Sequence, residues 1–269
     1  MRRLLLTSAV LALCAFAPPV AAETGVAVDA ELVLAVDVSR SMTPRELEIQ
    51  RRGYAEALSS PEVLATIQAG FHGRVAIAYL EWAGSGLQRR VVDWSLIETQ
   101  ADTDAFAAKL TAHFDSSMRR TSISGALTHA AAMFDGNGFT AYRQVIDVSG
   151  DGPNNDGRPV TYARDEALAQ GIAINGLPLM TREGMGSQWH LDDLDRYYEH
   201  CVIGGAGAFV LPVLRWEDFP DAVRRKLVLE LSHRQPAGAP AATFQTAAAA
   251  GYDCLIGERI WESMFGEMQ

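Results

Sequence analysis

ELVLAVDVSRSM, residues 31–42, is the stretch that decides the fold. Its first part, Leu32 to Val36, is a continuous apolar run of the kind found in strands that are buried on both faces of a parallel sheet. The run ends at Asp37, which is followed by hydroxyl side chains at Ser39 and Ser41. In open α/β sheets, ligands bind beyond the carboxyl ends of the strands. The stretch therefore places one carboxylate and two hydroxyls, oxygen donors suited to Mg²⁺, where a ligand would bind.

Outward from this stretch, apolar strand patterns alternate with helical patterns. Strands are predicted at residues 32–37, 74–83, 88–95, 143–149, 172–180 and 208–213. Helices are predicted at residues 43–59, 61–69, 102–113, 123–134, 158–170, 191–201 and 217–231. The second and third strands are separated by a short glycine-containing turn, which predicts an antiparallel hairpin. We expect an α/β fold with a doubly wound, Rossmann-like, mostly parallel sheet of six strands, one antiparallel edge strand and helices on both faces.

Composition and charge restrict the classes of partner. The chain has 269 residues, of which 48% are hydrophobic and 21% charged, as in an ordinary globular protein. Its formal net charge is −10. This acidity argues against nucleic acid and anionic membranes as partners and favours cations.

The N-terminus has the pattern of a secretory signal peptide. Arg2 and Arg3 precede an apolar core from Leu4 to Ala17, and small residues before position 23 predict cleavage after Ala22. The apolar core is too short for a membrane-spanning helix. Cys14, inside that core, leaves a lipoprotein-type anchor as the alternative. We predict a periplasmic or secreted protein with no membrane insertion after cleavage.

The predicted domain plan has three parts. Residues 1–22 are the signal peptide, residues 23–235 form one α/β domain with its core at 31–231, and residues 236–269 are an Ala/Pro-rich linker and C-terminal tail. Two cysteines remain after export, Cys201 and Cys254. In an oxidising compartment such a pair is more often bonded than free, so a disulfide is predicted, with two buried thiols as the alternative.

Two further segments carry oxygen donors at predicted strand ends. TSISGAL, residues 121–127, precedes a helix, and SGDGPNN, residues 149–155, places Asp151 directly after the fourth strand. Together with the Asp-x-Ser-x-Ser pattern of residues 37–41, they resemble the metal-ion-dependent adhesion site (MIDAS) of von Willebrand factor type A (vWA) domains. The family has a threonine before an Ala-Leu pair and a Thr-Asp-Gly motif. Gly150 stands here in place of the threonine of that last motif.

The resemblance covers residues 31–231 and implies a vWA-like fold with a divalent cation, Mg²⁺ or else Mn²⁺ or Ca²⁺. It implies these metal ligands: Asp37, Ser39, Ser41, Thr121 and Asp151. With only two carboxylates the cation would stay under-neutralised, and an open coordination position would attract a carboxylate from a partner protein. The sequence therefore predicts metal-dependent binding of a protein or surface ligand, and no enzyme activity. Residues 197–205 look similar to a secreted bacterial vWA-type family of undefined role.

Several alternatives stay open. GDGPNN, residues 150–155, also resembles a motif of Mg²⁺-dependent haloacid-dehalogenase-type phosphatases, with Asp37 as nucleophile and Asp151 on the metal. Those enzymes have a second aspartate where this chain has Ser39, and Lys109 would have to bind phosphate. The cation could also serve stability alone. Asp147 could support the metal ligands or be a structural hydrogen-bonding group, and residues 197–205 could line a groove or pack in the core.

Overall fold

The computed structural model of the protein describes residues 25–112, 119–181, 191–232 and 251–265. The predicted signal peptide, residues 1–22, lies outside these ranges, as do residues 236–250 of the predicted linker. The described residues form these strands: β1 (Val26–Val28), β2 (Glu31–Asp37), β3 (Val75–Trp82), β4 (Gln88–Ile97), β5 (Phe139–Ala141), β6 (Gln144–Gly150) and β7 (Ala173–Pro178).

Helices connect most of the strands. Over the described ranges they are α1 (Pro44–Leu58), α2 (Pro61–Gln68), α3 (Gln100–Thr111), α4 (Ile123–Ala132), α5 (Val160–Ala169), α6 (Leu194–Tyr197), α7 (Phe219–Leu231) and α8 (Ile256–Phe265). A π-helical turn, Tyr198–Val202, extends α6, and a 3-10 turn, Trp216–Asp218, precedes α7. None of the helices in the described ranges has the length and apolar character needed to cross a membrane.

The main sheet has five strands in the order β4-β3-β2-β6-β7. β2 pairs in parallel with β3 and β6, β6 pairs in parallel with β7, and β4 is the antiparallel edge strand. β1 and β5 form a separate parallel pair. The expected fold class is confirmed: the protein has a mostly parallel α/β sheet with one antiparallel edge.

The expectation of six strands in the sheet is wrong. Residues 208–213 form only isolated bridges to β7 and the residue after it, through Val210 and Val213. Phe209, Leu211 and Val213 direct backbone polar groups to this strand, and the ladder is interrupted because Pro178 of β7 has no N–H to donate to the Leu211 carbonyl oxygen. The apolar composition of this segment was therefore misleading as an indication of strand pairing, and of its six residues only Val213 is buried.

Both faces of β2 are buried, as its unbroken apolar run predicts. Leu32, Leu34 and Val36 point to the core that contains α1, α3 and α7. Val33 and Ala35 point to the opposite core, formed with α4, α5 and the π-helical turn. Since successive side chains of a strand point to opposite faces, a strand covered on both sides has to be apolar at every position.

A buried charged cluster joins α7 to the sheet. Lys226 of α7 is fully buried, and its Nζ lies 2.6 Å from Asp147 Oδ1 of β6 and 2.5 Å from Glu230 Oε1. Asn175 of β7 donates to the same Glu230 oxygen at 2.8 Å. Burial and the charge of Glu230 raise the pKa of Asp147 to about 7. Asp147 is thus a partner of Lys226 within the core.

A disulfide joins Cys201 of the π-helical turn to Cys254, with 5.5 Å between the two Cα atoms. The preceding aromatic residues, Tyr197 and Tyr198, are both fully buried. Of the two interpretations of residues 197–205, packing within the core is therefore the correct one for this aromatic pair. The disulfide fixes the residues that lead into α8 beside the main domain.

Candidate metal centre

The candidate ligands lie at the topological switch point of the sheet. β2 and β6 are neighbours, but the chain leaves β2 toward β3 on one side and leaves β6 toward β7 on the other. In open α/β sheets such a point opens a crevice at the carboxyl ends of the strands. Asp37 is the last residue of β2, and Asp151 directly follows β6. The two carboxylates therefore flank this crevice.

Hydrogen bonds connect four of the five candidate residues in a continuous chain. The Ser39 backbone N–H donates to Asp37 Oδ1 at 2.6 Å, and the Ser39 and Ser41 hydroxyl oxygens lie 2.9 Å apart. The Ser41 hydroxyl donates to Asp151 Oδ1 at 2.8 Å. Thr43 then caps α1 in a capping box with Glu46, which fixes the end of this loop. The oxygen donors of both strand ends are thereby gathered at one place.

Thr121 is buried beside the loop that carries Asp151. Its backbone N–H donates to Asn155 Oδ1 at 3.0 Å, and its carbonyl oxygen accepts from the Asn155 N–H at 2.9 Å. The next residue, Ser122, donates its N–H to the Ala83 carbonyl oxygen after β3. The structure brings the Thr121 backbone to the Asp151 loop.

One buried oxygen at this site has no partner. Asp37 is fully buried, and its Oδ2 accepts no hydrogen bond from any described residue. Burial and then the negative charge of Asp151 raise the pKa of Asp37 well above its usual value. Buried polar oxygens are normally paired because an unpaired one carries the full cost of lost hydration. A divalent cation would satisfy this oxygen and offset both carboxylate charges, so these residues fit such an ion.

Gly150 stands where the family motif has a threonine, and the structure gives a steric reason for this difference. A Cβ added to Gly150 would lie 2.9 Å from the Tyr198 hydroxyl oxygen and 3.0 Å from Asp37 Oδ2. The Tyr198 hydroxyl is itself buried, with no hydrogen-bond partner among the described residues. Tyr198 thus occupies space that a threonine at position 150 would need, and brings a hydroxyl close to Asp37. Its place in an aromatic pair on a helix could be read from the sequence, but its contact with β6 could not.

Two asparagines that sequence reasoning treated only as turn residues hold the site together. Asn155 binds both backbone polar groups of Thr121, and Asn154 Oδ1 accepts from the Ser124 N–H at 3.0 Å. The Ser122 hydroxyl donates to the Asp156 carbonyl oxygen at 2.8 Å. We call these hydrogen bonds between residues 121–124 and 154–156 the 121–155 seam. The seam fixes the loop after β6 against the start of α4.

The phosphatase alternative gains no support from the geometry. Lys109, which would have to bind phosphate, is exposed on α3, and its charge acts on Asp93 of the edge strand β4. Nor do the described residues hold any group of three His, Cys, Asp or Glu side chains able to bind a metal. A cation at this site would therefore depend on hydroxyl as well as carboxylate oxygens.

Comparison with known protein families matches residues 27–235 to the family described as "Protein of unknown function (DUF1194)". No curated protein matches the chain. Among solved structures, proximal thread matrix protein 1 from the mussel byssus matches with a TM-score of 0.55 and 15% identity, covering 77% of this chain and 49% of that one. A second structure of it, with a zinc-occupied MIDAS motif, matches with a TM-score of 0.53 and 14% identity over the same shares of the two chains.

The pilus adhesin SpaC from Lactobacillus rhamnosus GG also matches, with a TM-score of 0.53 and 12% identity, covering 76% of this chain and 31% of that one. The chain thus spans about half or less of the length of these proteins. At such identities the likeness shows the fold, and it confirms the vWA-like fold expected from the sequence.

Proposed function

We propose that this chain, which belongs to the DUF1194 family of proteins of unknown function, is an exported protein that binds a partner through a divalent cation. In this proposal the cation ligands are Asp37, Ser39, Ser41, Thr121 and Asp151. The partner is a protein or surface ligand that offers a carboxylate. We propose binding without catalysis.

The observation that carries the proposal is the unpaired Asp37 Oδ2. It lies in a fully buried carboxylate beside a second carboxylate and a row of hydroxyls, at the switch point of the sheet. Buried carboxylate oxygens are normally paired, and a bound cation is a partner that this one could take beside a second carboxylate. Oxygen donors of this kind select hard cations such as Mg²⁺, Mn²⁺ and Ca²⁺.

Each residue has a separate role in the proposed site. Asp37 and Asp151 supply negative charge, and their approach to each other is costly without a cation. The Ser39 and Ser41 hydroxyls lie between the two carboxylates along the hydrogen-bonded chain, and their oxygens are uncharged ligands for the cation. Thr121 supplies a hydroxyl from the opposite loop. A bound cation with so few anionic ligands remains a Lewis acid, and this attracts an external carboxylate.

The comparisons support the choice of a divalent cation and of a binding function. The mussel protein is described with zinc in its MIDAS motif, and SpaC is described as a pilus adhesin. The Cys201–Cys254 disulfide supports a periplasmic or secreted location, because disulfides persist in oxidising compartments. The predicted signal peptide is part of the same proposal.

Mn²⁺ offers a test of both parts of this function, since water bound to protein-held Mn²⁺ relaxes its protons faster than water on the free ion. We expect the protein to enhance proton relaxation in dilute Mn²⁺, and acetate to reduce that enhancement by displacing bound water. Sodium chloride at equal ionic strength, and acetate with Mn²⁺ but without protein, are the controls. The absence of any enhancement would refute the cation site. An acetate effect no larger than that of chloride would refute the carboxylate partner.

A further inference from the structure

The C-terminal helix α8 packs directly on the 121–155 seam. Asn154, a member of the seam, donates through Nδ2 to Glu258 Oε1 of α8 at 2.8 Å. Gly257 is buried against the same asparagine, so closely that an added Cβ would collide with the Asn154 carbonyl oxygen. Only glycine permits this approach of α8 to the loop that carries Asp151.

The same helix also contacts the segment that leads into Thr121. The Arg120 guanidinium carbon lies 4.5 Å from the centre of the Trp261 ring, within the range of a cation–π interaction. Arg120 also pairs with Asp156 at 3.0 Å and has a φ of 68°, a left-handed conformation that is uncommon for a residue with a side chain. α8 thus contacts two of the three loops that bear candidate ligands, the Asp151 loop through Asn154 and the segment before Thr121 through Arg120.

α8 is tied to the domain by several contacts. It contains ten residues, and a helix this short is marginal in water without tertiary contacts. The Cys201–Cys254 disulfide lies two residues before it. Tyr252 stacks on His200 with 5.3 Å between the ring centres and donates to Asp193 at 3.1 Å. These contacts hold the start of the helix in a defined position.

We propose that α8 is a positioning element of the cation site, with Gly257, Glu258 and Trp261 as its positioning residues. By packing on the 121–155 seam it holds Thr121 and the Asp151 loop in the arrangement that a cation needs. The expected effect of α8 on cation affinity rests on the proposed cation site. The expected effect of α8 on the order of the 121–155 seam does not depend on a cation. Replacing the outer-shell residues that orient metal ligands typically lowers metal affinity by about 10- to 100-fold.

The first test is the Mn²⁺ affinity of Gly257→Ala, which adds one methyl group where α8 meets Asn154. We expect the affinity to fall by roughly 10- to 100-fold, the usual effect of losing an outer-shell contact. Gly86→Ala is the matched control, because a Cβ at Gly86 has no atom within 4 Å. Trp261→Ala is a second variant that removes the contact with Arg120 without crowding the loop, and it should weaken binding in the same direction.

The second test follows amide hydrogen exchange in the cation-free protein, with chelator present. We expect the Asn155 and Ser124 amides, which donate across the seam, to exchange faster in Gly257→Ala than in the wild type or Gly86→Ala. Unchanged affinity together with unchanged exchange would overturn the proposal for α8 and leave the cation site standing. A wild type that binds no Mn²⁺ would refute the cation site and, with it, the positioning role, whatever the exchange result.

Discussion

Replacing Lys226 with methionine is expected to lower the free energy of unfolding by about 3–5 kcal/mol, the usual cost of removing one partner from a buried ion pair. Lys226 is fully buried between Asp147 and Glu230, which are themselves buried. Methionine fills a similar volume but leaves the neighbouring carboxyl groups of Asp147 and Glu230 in the core without the positive charge of the lysine. Equilibrium denaturation in urea near pH 8, where the carboxylates are most costly to bury uncompensated, measures the effect.

Lys109→Met is the matched control, because Lys109 is the other lysine of the chain and is exposed on α3. It should change the free energy of unfolding by no more than about 0.5 kcal/mol, as is usual for surface substitutions. A variant that combines Lys226→Met with Asp147→Asn and Glu230→Gln should recover part of the loss, because it leaves no unpaired charge. A loss below about 1 kcal/mol for Lys226→Met alone would contradict the role given to this cluster.

A divalent cation is expected to raise the free energy of unfolding of the wild type by about 2.7 kcal/mol at a free concentration one hundred times its dissociation constant. Asp37→Asn should abolish this gain, because it removes the charge of the buried carboxylate that carries the proposed site. Asparagine can still accept from the Ser39 N–H through its own oxygen, so the local loop is retained. Chemical denaturation with Mg²⁺ or Mn²⁺, against the same protein in chelator, measures both values.

In chelator, Asp37→Asn should be no less stable than the wild type, since the substitution removes a buried charge with an unpaired oxygen. Asp135→Asn, at an exposed position, serves as the control and should keep the full response to cation. An Asp37→Asn variant that is stabilised by cation as strongly as the wild type would place the binding elsewhere on the protein.

The sequence was sufficient for the fold because the decisive patterns are local. The apolar run of β2 predicted a strand covered on both faces, and the short turn at residues 84–87 predicted the antiparallel β3–β4 hairpin. Helix α1 begins after its predicted cap, Thr43. The expected sixth strand does not form because pairing depends on a neighbour's backbone, and Pro178 of β7 has no N–H to complete a ladder with residues 208–213.

The candidate site was predictable only in part, because some of its contacts join segments that are distant in the sequence. The motif segments around Asp37, Thr121 and Asp151 could be found by their resemblance to a family. The structure joins Asp37 to Asp151 through Ser39 and Ser41, and the Thr121 backbone to the Asp151 loop. Tyr198, which fills the space above Gly150, lies 48 residues further along the chain, and no local pattern places it there. The packing of α8 on the 121–155 seam depends likewise on contacts between distant segments.

The measurement that tests the central claim most directly is a calorimetric titration of Mn²⁺ into the wild type and Thr121→Ala. Thr121 lies on a different loop from Asp37, Ser39, Ser41 and Asp151, so its hydroxyl affects Mn²⁺ affinity only if the cation binds where that loop meets theirs. Thr111→Ala, at the exposed end of α3, is the control. We predict one site in the wild type and in the control, with affinity weakened at least about tenfold in Thr121→Ala. Equal affinity in all three proteins, or no binding to the wild type, would contradict the cation site described here.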